Sequence, residues 1–197
     1  TAFDCIEFDP GLRWIDVASD IAFLAMDLRA HGRRDLAFRF VDAWLAASGD
    51  YDALRVLRYY LAYRALVRAL VARIRAAQGA VGAGPDYLAL AQRLAAEHDP
   101  RLLIAHGSSG SGKSWISERL LGSAGAIRLR SDVERKRLFG LRALEASASR
   151  VPGGIYGRDA TRRTYARLRE LAALALAAGH RVIVDAAFLR SDERDDF

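Results

Sequence analysis

The segment with the clearest chemistry is a glycine- and serine-rich stretch, 107–114, which reads Gly-Ser-Ser-Gly-Ser-Gly-Lys-Ser. It matches the pattern G-x-x-x-x-G-K-[ST] at every fixed position. Glycines let a loop turn so that successive backbone N–H groups point at phosphate oxygens. A helix beginning at Lys113 directs the partial positive charge of its N-terminus at the same anion. The pattern predicts a nucleoside triphosphate site formed by Gly107, Ser108, Ser109, Gly110, Ser111, Gly112, Lys113 and Ser114.

Two of these side chains have individual roles in such a site. The Lys113 ammonium reaches the β- and γ-phosphates, and the Ser114 hydroxyl is a ligand of Mg²⁺. Lysine is scarce in this chain, with only Lys113 and Lys136, so a chance match to the pattern is rare. We therefore expect ATP and Mg²⁺ as cofactors, with Lys113 serving both binding and catalysis.

A second pair of candidates, Asp132 and Arg135, follows the candidate strand 126–130. The two are three residues apart on an expected helix, so both side chains lie on one face at the carboxyl end of a sheet. Ligands bind at that end in open α/β folds. Asp132 is suited to accept a proton from an attacking hydroxyl, and Arg135 to hold an anionic substrate or offset charge on the transferred group. The alternative makes Asp132 a helix cap and Arg135 a solvated partner.

Asp185 ends the apolar run Val-Ile-Val at 182–184. An acid at the end of a buried strand in such a fold commonly holds Mg²⁺ through water. The predicted metal ligands of this half are therefore Ser114 and Asp185. A turn-forming aspartate after a strand is the alternative interpretation.

The elements that position these residues follow from apolar periodicity. Short apolar runs, typical of buried strands, predict strands at 102–105 and 181–185, and a further strand is expected at 126–130. Helices are expected between them, namely from Lys113, over 131–139 and over 159–178. Strands that alternate with helices indicate a parallel sheet with crossover connections, so the predicted fold class is an α/β P-loop NTPase.

The first half reads as helical throughout. Four helices are expected: one that Ser19 or Asp20 caps and that runs through Arg29, and three over 34–47, 52–78 and 86–97. In the longest, apolar residues recur at helical spacing: Leu54, Leu57, Leu61, Leu66, Leu70 and Ile74. The glycine-rich, aperiodic segment 79–85 is the predicted linker. It separates a helical domain, 1–78, from a P-loop domain, 86–197.

Composition narrows the class of protein. The chain has 197 residues, 52% hydrophobic and 27% charged, which argues against a disordered chain. Cys5 is the single cysteine, so intrachain disulfides and a cysteine-based zinc site are excluded. No apolar run is long enough to cross a bilayer and no signal peptide is visible. We expect a cytoplasmic protein with no membrane partner.

Positive charge is concentrated in the second half. Residues 1–100 carry 12 Arg and 13 acids, whereas residues 101–197 carry 18 Lys or Arg and 11 acids, a net of +7. This excess favours an anionic ligand in the second half, either phosphates or a nucleic acid.

The second half resembles small P-loop kinases of the gluconate kinase, polynucleotide kinase and zeta-toxin type. The likeness rests on the loop 107–114, on Ser131-Asp132-x-x-Arg135 and on the run that ends at Asp185. It implies that Asp132 acts as the base or positions the acceptor hydroxyl, and that Arg135 helps to hold the substrate. Those families also carry a lid and further strands, which we expect beyond Phe197 in a longer protein.

The first half resembles aminoglycoside phosphotransferase-like kinases in two segments. Residues 3–10 are similar to the metal-binding segment of that family, and residues 15–22 to the D-x-x-x-D-[LI]-A element that follows it. The likeness implies that Asp4 binds Mg²⁺, that Asp20 braces the catalytic loop and that 21–78 are a helical C-lobe. The rest of that kinase domain lies upstream in the family. The tandem resembles a bacterial fusion of the two domain types, which makes this chain an internal fragment.

Three hypotheses follow for function. The first is an ATP-dependent kinase module that phosphorylates a hydroxyl of a small molecule. The second is a polynucleotide 5′-kinase or repair partner, which the basic half permits. The third is a non-catalytic ATP-binding regulatory module, which would bind nucleotide without turnover.

Overall fold

The computed structural model describes residues 14–79, 84–108, 110–143, 145 and 155–197. The first part of the chain is helical, and all of the helices predicted there are present. Their ends lie within two residues of those expected, except that the first helix begins at Val17, ahead of both expected caps. These helices are α1 (Val17–Ala30), α2 (Arg34–Ser48), α3 (Leu54–Ala77) and α4 (Tyr87–Ala96).

The N-terminus of α1 is capped by Asp16. Its Oδ1 accepts a hydrogen bond from the Ala18 N–H at 2.9 Å, which satisfies one of the free donors of the first turn. The prediction of Ser19 or Asp20 as the cap was therefore wrong. Ser19 lies inside α1, where its buried Oγ accepts a hydrogen bond from Arg64 at 3.0 Å.

The fully buried residues of α3 lie in its first half. Leu54, Leu57 and Leu61 are buried, whereas Leu70, farther along the predicted apolar stripe, is 62% exposed. Both α1 and α4 pack against α3. The helix that follows the predicted linker therefore returns to the helical region.

The second part of the chain forms a parallel sheet. Its strands have the predicted bounds, and in chain order they are β1 (Leu102–Ala105), β2 (Ala126–Arg130) and β3 (Arg181–Asp185). The spatial order is β1-β3-β2, so the last strand of the three lies in the centre. This topology, with crossover helices, is the α/β class expected for a P-loop NTPase.

Helices and one irregular turn connect the strands. A π-helical turn at Leu121–Gly125 and a short helix after β3 were not predicted. The helices of this part are α5 (Lys113–Leu120), α6 (Ser131–Leu138), α7 (Arg158–Ala177) and α8 (Ser191–Asp195). Within the residues that the structure describes, no helix is both long and apolar enough to span a membrane.

The register of the strands brings their carboxyl ends to one edge of the sheet. Asp185, the last residue of β3, is in register with Ala105 of β1 and with Arg130 of β2. The glycine-rich loop leaves β1 at this same edge. β1 is not the buried strand that its apolar run indicates: Leu103 is 46% exposed, because β1 pairs only with β3 among the described strands.

The helical region and the sheet share one hydrophobic core. α2 packs against the π-helical turn and β2, and α3 packs against α7. Polar contacts also join the helical region to the sheet, across what we call the junction. Arg58 donates a hydrogen bond to the Ala178 carbonyl at 2.7 Å, and His180 Nε2 lies 3.0 Å from the Leu54 carbonyl oxygen. The helical region therefore supports the sheet directly.

Candidate nucleotide-binding site

The glycine-rich loop starts at the end of β1 and is tied to the chain that follows β3. The Gly107 N–H donates a hydrogen bond to the Ala187 carbonyl oxygen at 3.0 Å. Gly107 has a φ of +144°, and a Cβ there would lie 2.9 Å from the Ser111 hydroxyl oxygen. Because L side chains rarely adopt this φ, the turn requires glycine at position 107.

The Lys113 ammonium lies across the loop. Its Nζ donates to the Gly107 carbonyl at 2.7 Å and to the Ser108 carbonyl at 2.5 Å, and it lies 3.4 Å from Ser111 Oγ. Lys113 is also the first residue of α5, so the positive end of that helix opens on the same loop. The loop, the ammonium and the helix N-terminus converge in an arrangement suited to a polyphosphate.

Asp185 is buried at the carboxyl edge of the sheet, beside α5. Its Oδ2 lies 3.0 Å from the Ser117 hydroxyl oxygen. The same hydroxyl oxygen lies 3.1 Å from the Ser114 carbonyl oxygen. One serine therefore connects the two residues of this half that the sequence predicts as metal ligands.

The donor atoms at this edge suit the chemistry of Mg²⁺. This ion prefers oxygen ligands and usually takes one or two carboxylates together with water and substrate phosphates. Ser114 and Asp185 offer a hydroxyl and a carboxylate. Over the described residues, no group of three or more His, Cys, Asp and Glu side chains could hold a metal ion. Asp4, the third predicted ligand, lies outside those residues, as does Ser109 of the loop.

Asp132 lies in the first turn of α6, directly after β2. Its side chain is 53% exposed, and its Oδ2 accepts a hydrogen bond from Arg130 at 2.8 Å. Since Arg130 is in register with Asp185, Asp132 belongs to the same edge of the sheet as the loop. Its carboxylate is oriented by an arginine and is open to a substrate.

Arg135 is directed at the start of α7. Its guanidinium donates to the Ile155 carbonyl at 3.0 Å and to Thr161 Oγ1 at 3.2 Å, and it lies 5.4 Å from the centre of the Tyr156 ring. Burial lowers the pKa of Arg135 below the usual arginine value. Asp132 and Arg135 therefore have separate partners, although they lie within one turn of α6.

Arg128 is a further residue at this site, and the sequence analysis did not single it out. One of its terminal nitrogens lies 3.4 Å from the Ser114 carbonyl oxygen, and the other donates to Asp42 of α2 at 2.9 Å. The strand 126–130 reads Ala-Ile-Arg-Leu-Arg, and strands alternate faces. That alternation already places the two arginines opposite the apolar residues, but it does not reveal a partner 86 positions earlier.

A comparison with known families bears on the second half of the chain. Residues 102–197 match the model of a family described as an AAA domain. The matched range begins at β1 and includes the loop, all three strands and α5 to α8. The match supports a P-loop nucleotide-binding, kinase-like module in this part of the chain.

The chain is also similar to mycobacterial proteins that are described only as uncharacterized. It is 35% identical over 185 residues to the Mb2027c protein of Mycobacterium bovis and to the Rv2004c protein of Mycobacterium tuberculosis. The likeness covers 92% of this chain and 37% of each relative, so the chain spans little more than a third of their length. A comparison with solved structures gives no match.

Proposed function

We propose that the chain holds an ATP-binding phosphotransferase module, which transfers the γ-phosphate of ATP to a hydroxyl of a small molecule. The observation that carries the proposal is the Lys113 ammonium across the glycine loop, 2.7 Å from the Gly107 carbonyl oxygen, at the carboxyl edge of the sheet. A cation in a glycine-rich turn at a helix N-terminus binds polyphosphates well. The family match to residues 102–197 supports the same class of ligand.

Each proposed role follows from the position of a side chain. The acceptor oxygen attacks the γ-phosphorus as the bond to the leaving ADP breaks, and Asp132 takes the proton of the acceptor hydroxyl. Lys113 binds the β- and γ-phosphates, and Arg135 holds an anionic part of the acceptor through donors not used for Ile155 and Thr161. Ser114, and Asp185 through water, would hold Mg²⁺, which when bound would supply positive charge to offset the negative charge on the phosphate oxygens.

The helical region is the second part of the proposal. Its likeness to the C-lobe of aminoglycoside phosphotransferase-like kinases, with Asp4 as a metal-binding acid and 79–85 as a linker, rests on sequence pattern. We also propose a cytoplasmic location, which likewise rests on the sequence alone. In the proposed module this region supports the P-loop half, because the two share a core.

The first test is thermal unfolding with and without Mg-ATP. Ligand at about 100 times its dissociation constant stabilises a folded protein by roughly 2.7 kcal/mol. We expect this stabilisation in the parent chain and its loss in Lys113→Ala, because the substitution removes the ammonium that spans the loop.

The matched control is Lys136→Ala. Lys136 is the only other lysine, and it donates to the Ala143 carbonyl from the last turn of α6. This variant should keep the full ATP-dependent shift even if its own melting temperature falls. A parent chain that Mg-ATP does not stabilise would contradict the proposal.

A further inference from the structure

A buried ion pair joins the helical region to the sheet beside the candidate site. Arg128 of β2 donates to Asp42 Oδ2 of α2 at 2.9 Å, and the two side chains are only 9% and 10% exposed. Burial raises the pKa of Asp42, and the charge of Arg128 acts in the opposite direction. Neither charge can lose its partner without leaving the other buried and uncompensated.

Polar contacts continue from this pair to the end of β3. Arg128 lies 3.4 Å from the Ser114 carbonyl oxygen, and the buried Ser117 hydroxyl oxygen lies 3.1 Å from that same carbonyl. Ser117 Oγ also lies 3.0 Å from Asp185 Oδ2. The path therefore runs from Asp42 through Arg128, the Ser114 carbonyl and Ser117 to Asp185.

The Ser117 hydroxyl has one proton and two acceptors within reach. A carboxylate is a stronger acceptor than a backbone carbonyl, so that proton goes to Asp185. Arg128 contacts the Ser114 carbonyl and thereby fixes the turn of α5 that carries Ser117, so removing Arg128 frees this turn and loosens the hydrogen bond to Asp185. The orientation of the Asp185 carboxylate is therefore coupled to an arginine that α2 holds in place.

Apolar packing alone does not account for this arrangement. Among the described residues, the buried Nε of Arg128 has no hydrogen-bond partner, which costs free energy of folding. Replacing a buried ion pair by apolar residues of similar volume is often neutral or stabilising. An ion pair that leaves a donor unpaired therefore adds little to the stability of the contact between the helical region and the sheet. The feature that distinguishes this pair is the contact of Arg128 with the Ser114 carbonyl.

We propose that the Asp42–Arg128 pair is a positioning device, through which the helical region sets the Ser114 backbone and the Asp185 carboxylate for Mg²⁺-dependent nucleotide binding. The inference rests on the proposed function, since it assigns Asp42 and Arg128 a role at that same site. Both are positioning residues and act through Ser114, Ser117 and Asp185.

The experiment compares ATP affinity in excess Mg²⁺ with ATP affinity in EDTA, by titration calorimetry. Substitution of a residue that hydrogen-bonds to a metal ligand typically lowers metal affinity by about 10- to 100-fold. We expect the double variant Asp42→Leu with Arg128→Leu to lose the Mg²⁺-dependent gain in affinity by about tenfold or more. Its affinity in EDTA should stay within about twofold of the parent, because the Lys113 loop is intact.

Two further variants sharpen this test. Ser117→Ala removes the bridge without leaving a buried charge, so it should lose the same Mg²⁺-dependent gain even if the double variant folds poorly. The matched control removes another contact between α2 and α5, the exposed Arg39–Glu118 pair at 3.4 Å. Arg39→Gln with Glu118→Gln should bind ATP as the parent does under both conditions.

The outcomes separate this inference from the proposed function. A parent that binds no ATP, in Mg²⁺ or in EDTA, contradicts both. A parent that binds ATP through Lys113, together with a Ser117→Ala variant that keeps the full Mg²⁺-dependent gain, overturns the positioning role alone. Equal affinity of the parent in Mg²⁺ and EDTA also overturns it, while nucleotide binding stands.

Discussion

Among single residues, Asp132 is the proposed base of the transfer reaction. A general base needs access to the acceptor, and Asp132 is more than half exposed. Its partner Arg130 belongs to the edge of the sheet where the glycine loop begins. This combination of an oriented carboxylate, an open surface and a nearby phosphate loop distinguishes Asp132 from the other acids of the second half.

Asp132→Asn tests this role, since an amide keeps the shape of the side chain but cannot take a proton. We expect ADP release from Mg-ATP to fall by about 100-fold or more relative to the parent. Stabilisation by Mg-ATP should remain. The control is Asp159→Asn, which removes an exposed acid of α7 paired with Arg162. Unchanged ADP release in Asp132→Asn would overturn the role of Asp132 as the base, whereas a parent that binds Mg-ATP and releases no ADP would favour the non-catalytic ATP-binding module.

At the scale of elements, the sequence pattern predicts the features that depend on neighbouring residues, such as the bounds of the strands. The bounds of β1, β2 and β3 were predicted because each is a short segment with apolar residues that lies between polar or glycine-rich segments. The central place of β3 was not predicted, because strand order depends on pairings between residues about 80 positions apart. Ser117 was missed for the same reason: its contact with Asp185 exists only once β3 lies beside β1.

His180 gives the junction between α3 and the sheet a pH dependence. Its Nε2 lies 3.0 Å from the Leu54 carbonyl, to which the neutral ring donates its proton. Burial lowers the pKa of His180 below its usual 6.5, so the unfolded chain takes up a proton at higher pH than the folded one. The free energy of unfolding therefore falls as pH decreases through about 6.5 and below, towards the folded pKa.

This effect is measured as the change in melting temperature between pH 7.5 and pH 5.5. We expect the melting temperature of the parent to fall by more than that of the His180→Gln variant. The glutamine amide can still donate to the Leu54 carbonyl, and it does not titrate in this range. His31→Gln is the matched control, because His31 is an exposed histidine at the end of α1. It should follow the parent. Equal losses in the parent and His180→Gln would show that His180 does not govern the dependence.

At the scale of the whole molecule, polar contacts as well as the shared apolar core join the helical region to the sheet. The Tyr51 hydroxyl donates to buried Glu134 of α6 at 3.1 Å, and Arg137 donates both to Glu134 and to the Ala46 carbonyl. Buried groups of this kind are costly to expose singly, because each leaves a partner unsatisfied. The helical region and the sheet are thus bound by contacts that break together, which favours one cooperative unit over two independent domains.

Single-tryptophan variants test this cooperativity, because Trp44 lies in α2 and Trp115 in α5. One variant keeps Trp44 and the other keeps Trp115, with the remaining tryptophans replaced by phenylalanine. We expect both to give the same urea midpoint. Mg-ATP at about 100 times its dissociation constant should add roughly 2.7 kcal/mol to the free energy of unfolding in each. A Trp44 midpoint that ATP leaves unchanged would instead mean that the helical region unfolds on its own. It would then be an independent domain, and the ion pair of Asp42 with Arg128 would not couple the stability of the two regions.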